Sequence, residues 1–80
     1  MTKSWKKFLL KTNKSIRKKL EIIIEKILLN DFEWLHIRPL IWKNNYYRVR
    51  LWQIRIIFKK DENENIIEEI WYRWDIYKWL

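Results

Sequence analysis

The spacing of apolar residues predicts two helices in the first third of the chain. In residues 4–11 an apolar side formed by Trp5, Phe8 and Leu9 indicates a short helix. Over residues 14–29 the apolar positions recur at i, i+4, i+7 and i+8, the spacing of one helix face. They are Ile16, Leu20, Ile23, Ile24, Ile27 and Leu28. We expect this stripe to lie in the core, and a helix lying on a membrane surface is the alternative.

The period of the pattern then changes to two, which predicts β-strands. Residues 31–45, which contain the only proline, Pro39, are interpreted as a connection, 61–65 as a turn and 74–80 as a C-terminal tail. The predicted strands are residues 46–51, 53–60 and 66–72. Two helices followed by a three-stranded antiparallel meander predict a single α+β domain over residues 1–80, with the helices packed on one face of the sheet.

Alternation along the strands predicts one apolar sheet face and one basic face. The apolar face, which suits the helices, comprises Tyr47, Val49, Leu51, Ile54, Ile56 and Phe58. The opposite face comprises Tyr46, Arg48, Arg50, Arg55, Ile57 and Lys59. No acidic residue occurs between Glu33 and Asp61, and the basic residues of this stretch are interleaved with aromatic ones. Cations mixed with stacking surface are typical of single-stranded RNA sites, although a solvated strand face has the same composition.

Composition narrows the class of protein. The chain has 80 residues and no cysteine, which excludes disulfides and thiolate metal sites and makes a reducing cytoplasm the expected compartment. Its apolar runs are too short for a membrane span or a signal peptide. The net charge of +8 favours an anionic partner such as nucleic acid.

The sequence also lacks glycine and contains seven tryptophans. Average usage predicts about five or six glycines in a chain of this length. The hairpin turn expected near residues 51–53 contains Trp52, where tight turns favour residues that tolerate positive φ.

Two segments resemble a known family. "LHIRPLIWKNNYYRVRLWQIRIIF" at 35–58 and "IIEEIWYRWDIYK" at 66–78 are similar to the RelE/ParE superfamily of bacterial toxin–antitoxin toxins, and the resemblance covers roughly residues 8–80. It implies a microbial-ribonuclease-like α+β fold. In the RelE branch it implies cleavage of mRNA in the ribosomal A site, and in the ParE branch poisoning of DNA gyrase.

The resemblance also implies a site. In a RelE-like reaction the ribose 2′-hydroxyl attacks the adjacent phosphate and leaves a 2′,3′-cyclic phosphate and a free 5′-hydroxyl, without a metal or another cofactor. Arg55, Arg73 and Tyr77 match the expected catalytic positions. The expected RNA-binding residues are Lys43, Tyr47, Arg48, Arg50 and Lys59. The expected partners are mRNA and an acidic antitoxin, and the arginines could serve only as solvated charges or antitoxin contacts. The alternative function is a ParE-like toxin without enzymatic activity, or a degenerate antitoxin-binding module.

The general base is the weakest part of the resemblance. Many relatives carry histidine where this chain has Tyr72, and the only histidine, His36, is expected to be structural. Glu69 and Asp75 are candidate carboxylates, although Asp75 is expected to cap or to pair with Arg73.

Several tryptophans stand where the family has glycine. Trp52 and Trp74 occupy two such positions and Trp42 lies near a third, while Trp71 and Trp79 fall at the edges of elements. We hypothesise that the gene uses a code in which UGA means glycine and was translated as if UGA meant tryptophan. The alternative is a natural tryptophan-rich toxin. The family also usually begins with a strand before the first helix, whereas only residues 1–3 precede it here. A misplaced start codon or a sheet without that edge strand is therefore expected.

Overall fold

Two helices precede a four-stranded antiparallel sheet in the computed structural model, which describes residues 4–41 and 43–72. The helices are α1 (Ser4–Lys11) and α2 (Lys14–Leu28). The strands are β1 (His36–Pro39), β2 (Tyr46–Leu51), β3 (Ile54–Lys60) and β4 (Asn65–Tyr72). Their order in the sheet is β1-β2-β3-β4, so each strand pairs with its neighbour in sequence. The predicted α+β class is confirmed.

The sheet has one strand more than the pattern predicts, because β1 lies inside the segment 31–45 that was interpreted as a connection. His36 pairs with Arg50, and Pro39 pairs with Tyr47. Four residues with mostly exposed side chains are too few for a periodic signal. Proline is tolerated here because β1 lies at an edge of the sheet. The expectation about a strand before α1 concerns residues 1–3, which lie outside the described residues.

Helix α2 begins and ends with recognisable caps. The Asn13 side chain accepts a hydrogen bond from the Ile16 N–H at 2.9 Å, which satisfies one of the free amides at the helix start. At the other end Asn30 adopts φ 59°, and the Asp31 N–H donates to the Lys26 carbonyl at 2.8 Å. Asparagine is suited to this left-handed cap position.

The exposed carboxylate of Asp31 lies beside the same cap. Its pKa is lowered because it accepts a hydrogen bond from Lys26 Nζ at 3.1 Å and another from the Glu33 N–H. This ion pair lies at the surface and contributes little to stability.

The apolar stripe of α2 covers one face of the sheet. Leu20, Ile24 and Ile27 are buried there. They join a core whose other buried members are Phe8, Val49, Ile54, Ile56, Phe58, Ile67 and Ile70. Leu28 is 54% exposed, so it does not belong to the stripe as predicted. In the ranges 4–41 and 43–72, neither helix combines the length and the apolar character needed to cross a membrane.

A buried asparagine connects β4 to the end of α2. Asn65 is 7% exposed and donates from Nδ2 to the Ile27 carbonyl at 2.7 Å and to Asn30 Oδ1 at 3.2 Å. The Ile27 carbonyl lies in the last turn of α2, where carbonyl groups lack partners within the helix. This contact therefore holds the helix against the first residue of β4.

The hairpin between β2 and β3 places a tryptophan in a left-handed conformation. Trp52 has φ 52°, and Trp34, in the turn before β1, has φ 70°. The other described residues with positive φ are Asn30 and Asn45, a residue type that tolerates this region. Trp71 differs, because it lies in β4 and its ring packs edge-on against Phe8 at 6.1 Å between centroids. The described turns therefore favour glycine at positions 34 and 52, whereas Trp71 is a packing residue.

Candidate nucleic-acid interface

The sheet face opposite the helices, here called the outer face, carries rows of side chains that run across the strands. In the first row His36 of β1 pairs with Arg50 of β2, and Arg50 pairs with Arg55 of β3. Arg55 in turn pairs with Trp71 of β4. Directly opposed residues in an antiparallel pair have Cβ atoms about 4.5–5.5 Å apart. The row therefore brings a histidine and two arginines from three strands together.

The second row adds two more arginines. Arg38 pairs with Arg48, Arg48 with Ile57, and Ile57 with Glu69. Arg38 is exposed and Arg48 is half-buried. The β1–β2 side of the outer face is thus strongly basic, and the acidic side chain of this row lies on the far strand.

Aromatic and aliphatic side chains lie beside these charges. Leu40 and Ile57 are buried together, with Tyr46 and Trp71 packed against them. Lys43 Nζ lies 5.1 Å from the centre of the Tyr46 ring and Lys59 Nζ lies 6.0 Å from it. The outer face therefore combines aromatic stacking surface with cations. Proteins that bind single-stranded nucleic acids use the same combination.

Two shallow depressions indent the basic part of the outer face. One is lined by Leu35, His36, Ile37, Arg38, Arg48 and Arg50. The other is lined by His36, Arg50, Leu51, Trp52 and Arg55. His36 and Arg50 line both, so they form the ridge between two sites where a phosphate or a base could bind.

Arg55 also forms hydrogen bonds within the β2–β3 hairpin. Its Nη1 donates to the Trp52 carbonyl at 2.7 Å and to the Ile54 carbonyl at 3.1 Å. These bonds fix the guanidinium at the edge of the second depression and also brace the β2–β3 turn. Arg55 can therefore act on an anion only from this braced position.

The structure brings most of the predicted site residues together. Arg48, Arg50, Arg55 and Lys59 share the outer face, and Lys43 lies beside it next to Tyr46. Arg73 and Tyr77 lie outside the described residues.

Tyr47 is the exception among the predicted RNA-binding residues. Its ring stacks on Phe58 at 5.5 Å between centroids and 20° between planes, on the helix side of the sheet. Tyr46, which the strand alternation already placed with Arg48 and Arg50, lies on the outer face instead.

The candidate general bases lie in different environments. Glu69 is 9% exposed, and its Oε1 accepts a hydrogen bond from the Ile70 N–H at 3.3 Å. Tyr72 packs edge-on against Phe8 at 5.2 Å between ring centroids. Asp75 lies outside the described residues. His36 is exposed on β1, and the structural role expected for it stays a prediction.

No group of three or more histidine, cysteine, aspartate or glutamate side chains is placed to hold a metal ion in residues 4–41 and 43–72. The chemistry available at the outer face in this part of the chain is that of arginine, lysine, histidine and aromatic side chains.

One solved structure is similar to the chain over nearly its whole length. It is a chain of the crystal structure of the RelB–RelE antitoxin–toxin complex from Methanococcus jannaschii, with a TM-score of 0.81 and 27% sequence identity. The match covers 99% of this chain and 95% of that chain. A scan against protein-family models finds no match, and a search of curated proteins finds none either. The fold is therefore that of a chain of this antitoxin–toxin complex.

Proposed function

We propose that this chain is the toxin of a toxin–antitoxin pair and that it cleaves mRNA on the ribosome. The observation that carries the proposal is the basic outer face, where His36, Arg38, Arg48, Arg50 and Arg55 surround two shallow depressions. The similarity to a chain of the RelB–RelE complex supports membership of a toxin–antitoxin pair.

The charge of the chain favours the toxin over the antitoxin. It has 18 lysines and arginines against 10 aspartates and glutamates, which gives a net charge of +8. A basic surface that binds RNA phosphates requires an inhibitor of opposite charge to cover it. We therefore assign this basic chain as the toxin and expect the antitoxin to be a separate, acidic protein.

The outer face suits transesterification of RNA. Negative charge builds on the phosphoryl oxygens as the 2′-oxygen attacks, and positioned guanidinium groups stabilise that charge. Arginine also offers the bidentate geometry that phosphate oxygens accept. The depressions are shallow and open, so the protein alone holds RNA loosely, and a ribosome that orients the mRNA would supply the missing alignment.

A double substitution tests the site. Arg48→Gln with Arg50→Gln should reduce cleavage of translated mRNA by at least about a hundredfold, since two transition-state donors are lost. The matched control is Lys14→Gln with Lys18→Gln, which removes the same charge from exposed positions on α2. Equal loss of cleavage in both variants would mean that only net charge matters, and an unaffected Arg48/Arg50 variant would refute the site.

A second candidate is a toxin that acts on DNA gyrase without cleaving RNA. It is favoured by Tyr72, which stands where many RelE-like toxins carry histidine and whose ring packs against Phe8. Growth arrest with intact mRNA and loss of gyrase supercoiling would support this candidate and exclude the first.

A further inference from the structure

We propose that His36 is the general base of this site and takes the proton of the attacking 2′-hydroxyl. The inference rests on the proposed function and assigns a proton acceptor that the sequence comparison with toxins leaves open. It is motivated by the position of the only histidine in the chain, which β1 brings to the arginine rows.

The geometry places His36 where a phosphate would bind. It lies opposite Arg50 in the β1–β2 register and lines both depressions of the outer face. A phosphodiester held by Arg50 together with Arg48 or Arg55 therefore lies within one side-chain length of the imidazole. The imidazole is exposed, so it can reach a ribose without displacing core residues.

The arginine, lysine and glutamate side chains of the outer face are poorly suited to the task. Guanidinium groups stay protonated and have no acceptor atom. Lysine is ordinarily protonated at neutral pH, and Lys43 and Lys59 lie beside Tyr46, outside the two arginine rows. Glu69 is buried on β4 and separated from Arg50 by a whole strand. Imidazole is the side chain that accepts protons near neutral pH, and it is the commonest general base in enzymes.

The step balances without a metal or a second substrate. His36 takes the 2′-hydroxyl proton while the 2′-oxygen bonds to phosphorus and the bond from phosphorus to the 5′-oxygen breaks. The 5′-oxygen takes a proton from water. The products are a 2′,3′-cyclic phosphate and a 5′-hydroxyl, and the imidazolium then releases its proton to solvent.

The test is single-turnover cleavage of ribosome-bound mRNA over a range of pH, with wild type, His36→Gln and His36→Ala. Removing a general base lowers the rate by about a hundredfold to ten-thousandfold. The wild-type rate should rise with pH and then level off. The His36→Gln variant should have no plateau, because attack by the 2′-oxygen then depends on hydroxide alone. Arg38, Arg50 and Arg55 are the charged groups that face His36 from β1, β2 and β3, and guanidinium groups in general stay protonated. A plateau that is absent in His36→Gln is therefore assigned to the imidazole.

Chemical rescue separates a proton acceptor from a residue that only contacts RNA. Free imidazole in the buffer should raise the rate of His36→Ala in proportion to its concentration and leave wild type unchanged. A thermal melt of each variant verifies folding, which the exposed position of His36 should preserve.

The outcomes distinguish the two proposals. If wild type cleaves and His36→Gln cleaves at the same rate, the base assignment is wrong and the proposed function stands. A slow His36→Gln that keeps the wild-type pH profile, or a slow His36→Ala that imidazole does not rescue, also overturns the base assignment. If wild type leaves ribosome-bound mRNA intact, both proposals fail.

Discussion

Replacing Trp34 and Trp52 by glycine should stabilise the protein although two large aromatic side chains are removed. Both residues have positive φ, 70° and 52°, and both are largely exposed, at 87% and 58%. A left-handed conformation costs a residue with a Cβ atom about 1–2 kcal/mol. Relief of this cost at two positions is the favourable part of the change.

Two effects oppose the gain. Glycine loses more conformational freedom on folding, which costs about 0.5–1 kcal/mol at each site. The variant also loses a cation–π contact, because Lys19 Nζ lies 4.1 Å from the centre of the Trp52 ring. Such a contact contributes about 0.5–1 kcal/mol at an exposed site. The double variant should therefore gain about 1 kcal/mol, which corresponds to a melting temperature about 4–8 °C higher in a domain of this size.

Thermal unfolding of wild type and the Trp34→Gly, Trp52→Gly double variant measures this difference. Trp71→Gly is the control, because Trp71 packs against Phe8 and against the Ile57 cluster. The free energy of unfolding of this control variant should fall by about 2 kcal/mol or more, as expected when a packed aromatic ring is deleted. A double variant that melts many degrees below wild type would refute the conclusion that positions 34 and 52 favour glycine.

The backbone angles also predict which codons encode these tryptophans. If UGA encodes glycine in the source organism, positions 34 and 52 should be UGA codons and Trp71 a UGG codon. The prediction at 34 goes beyond the comparison with the toxin family and comes from the backbone angle alone. A UGG codon at position 52 would contradict the hypothesis.

Three further predictions concern the fold, the site and the partner. Asn65→Ala should lower the free energy of unfolding by about 0.5–1.5 kcal/mol in a thermal melt, because the Ile27 carbonyl loses one of its two donors and keeps the Asn30 N–H. Asn63→Ala, at an exposed position in the turn before β4, should change the free energy of unfolding by less than about 0.5 kcal/mol. Arg55→Ala should slow cleavage by about tenfold to a thousandfold. An unaltered cleavage rate would show that Arg55 is not catalytic. A melt of the same variant measures the part due to the hairpin contacts. The antitoxin should cover the basic face with an acidic segment, so its affinity, measured by calorimetry, should fall as salt rises from low to high concentration. An affinity that is independent of salt would argue against an electrostatic contact.

Much of the fold follows from periodicity in the sequence. Apart from the exposed Leu28, the helical stripe over residues 14–29 and the alternation in β2 and β3 correctly separate the core face from the arginine face. Both patterns are long enough to express the geometry of a helix or a strand. Strand β1 escapes detection because four mostly exposed residues ending in Pro39 carry no repeating pattern.

The missed strand also explains the missed site residues. Without β1, the sequence gives no reason to place His36 and Arg38 beside Arg50 and Arg48, since that proximity exists only through strand pairing. The RNA-binding role predicted for Tyr47 had another origin. Strand alternation put this residue on the apolar face, and only its aromatic character suggested RNA contact.

The most direct test of the proposed function is the chemistry of the RNA ends after incubation of mRNA with the purified chain. With translating ribosomes, we expect cuts within the coding sequence that carry 2′,3′-cyclic phosphate and 5′-hydroxyl ends. The same mRNA without ribosomes should remain largely intact. Intact mRNA under both conditions, or ends that carry a 5′-phosphate, would contradict the proposed function.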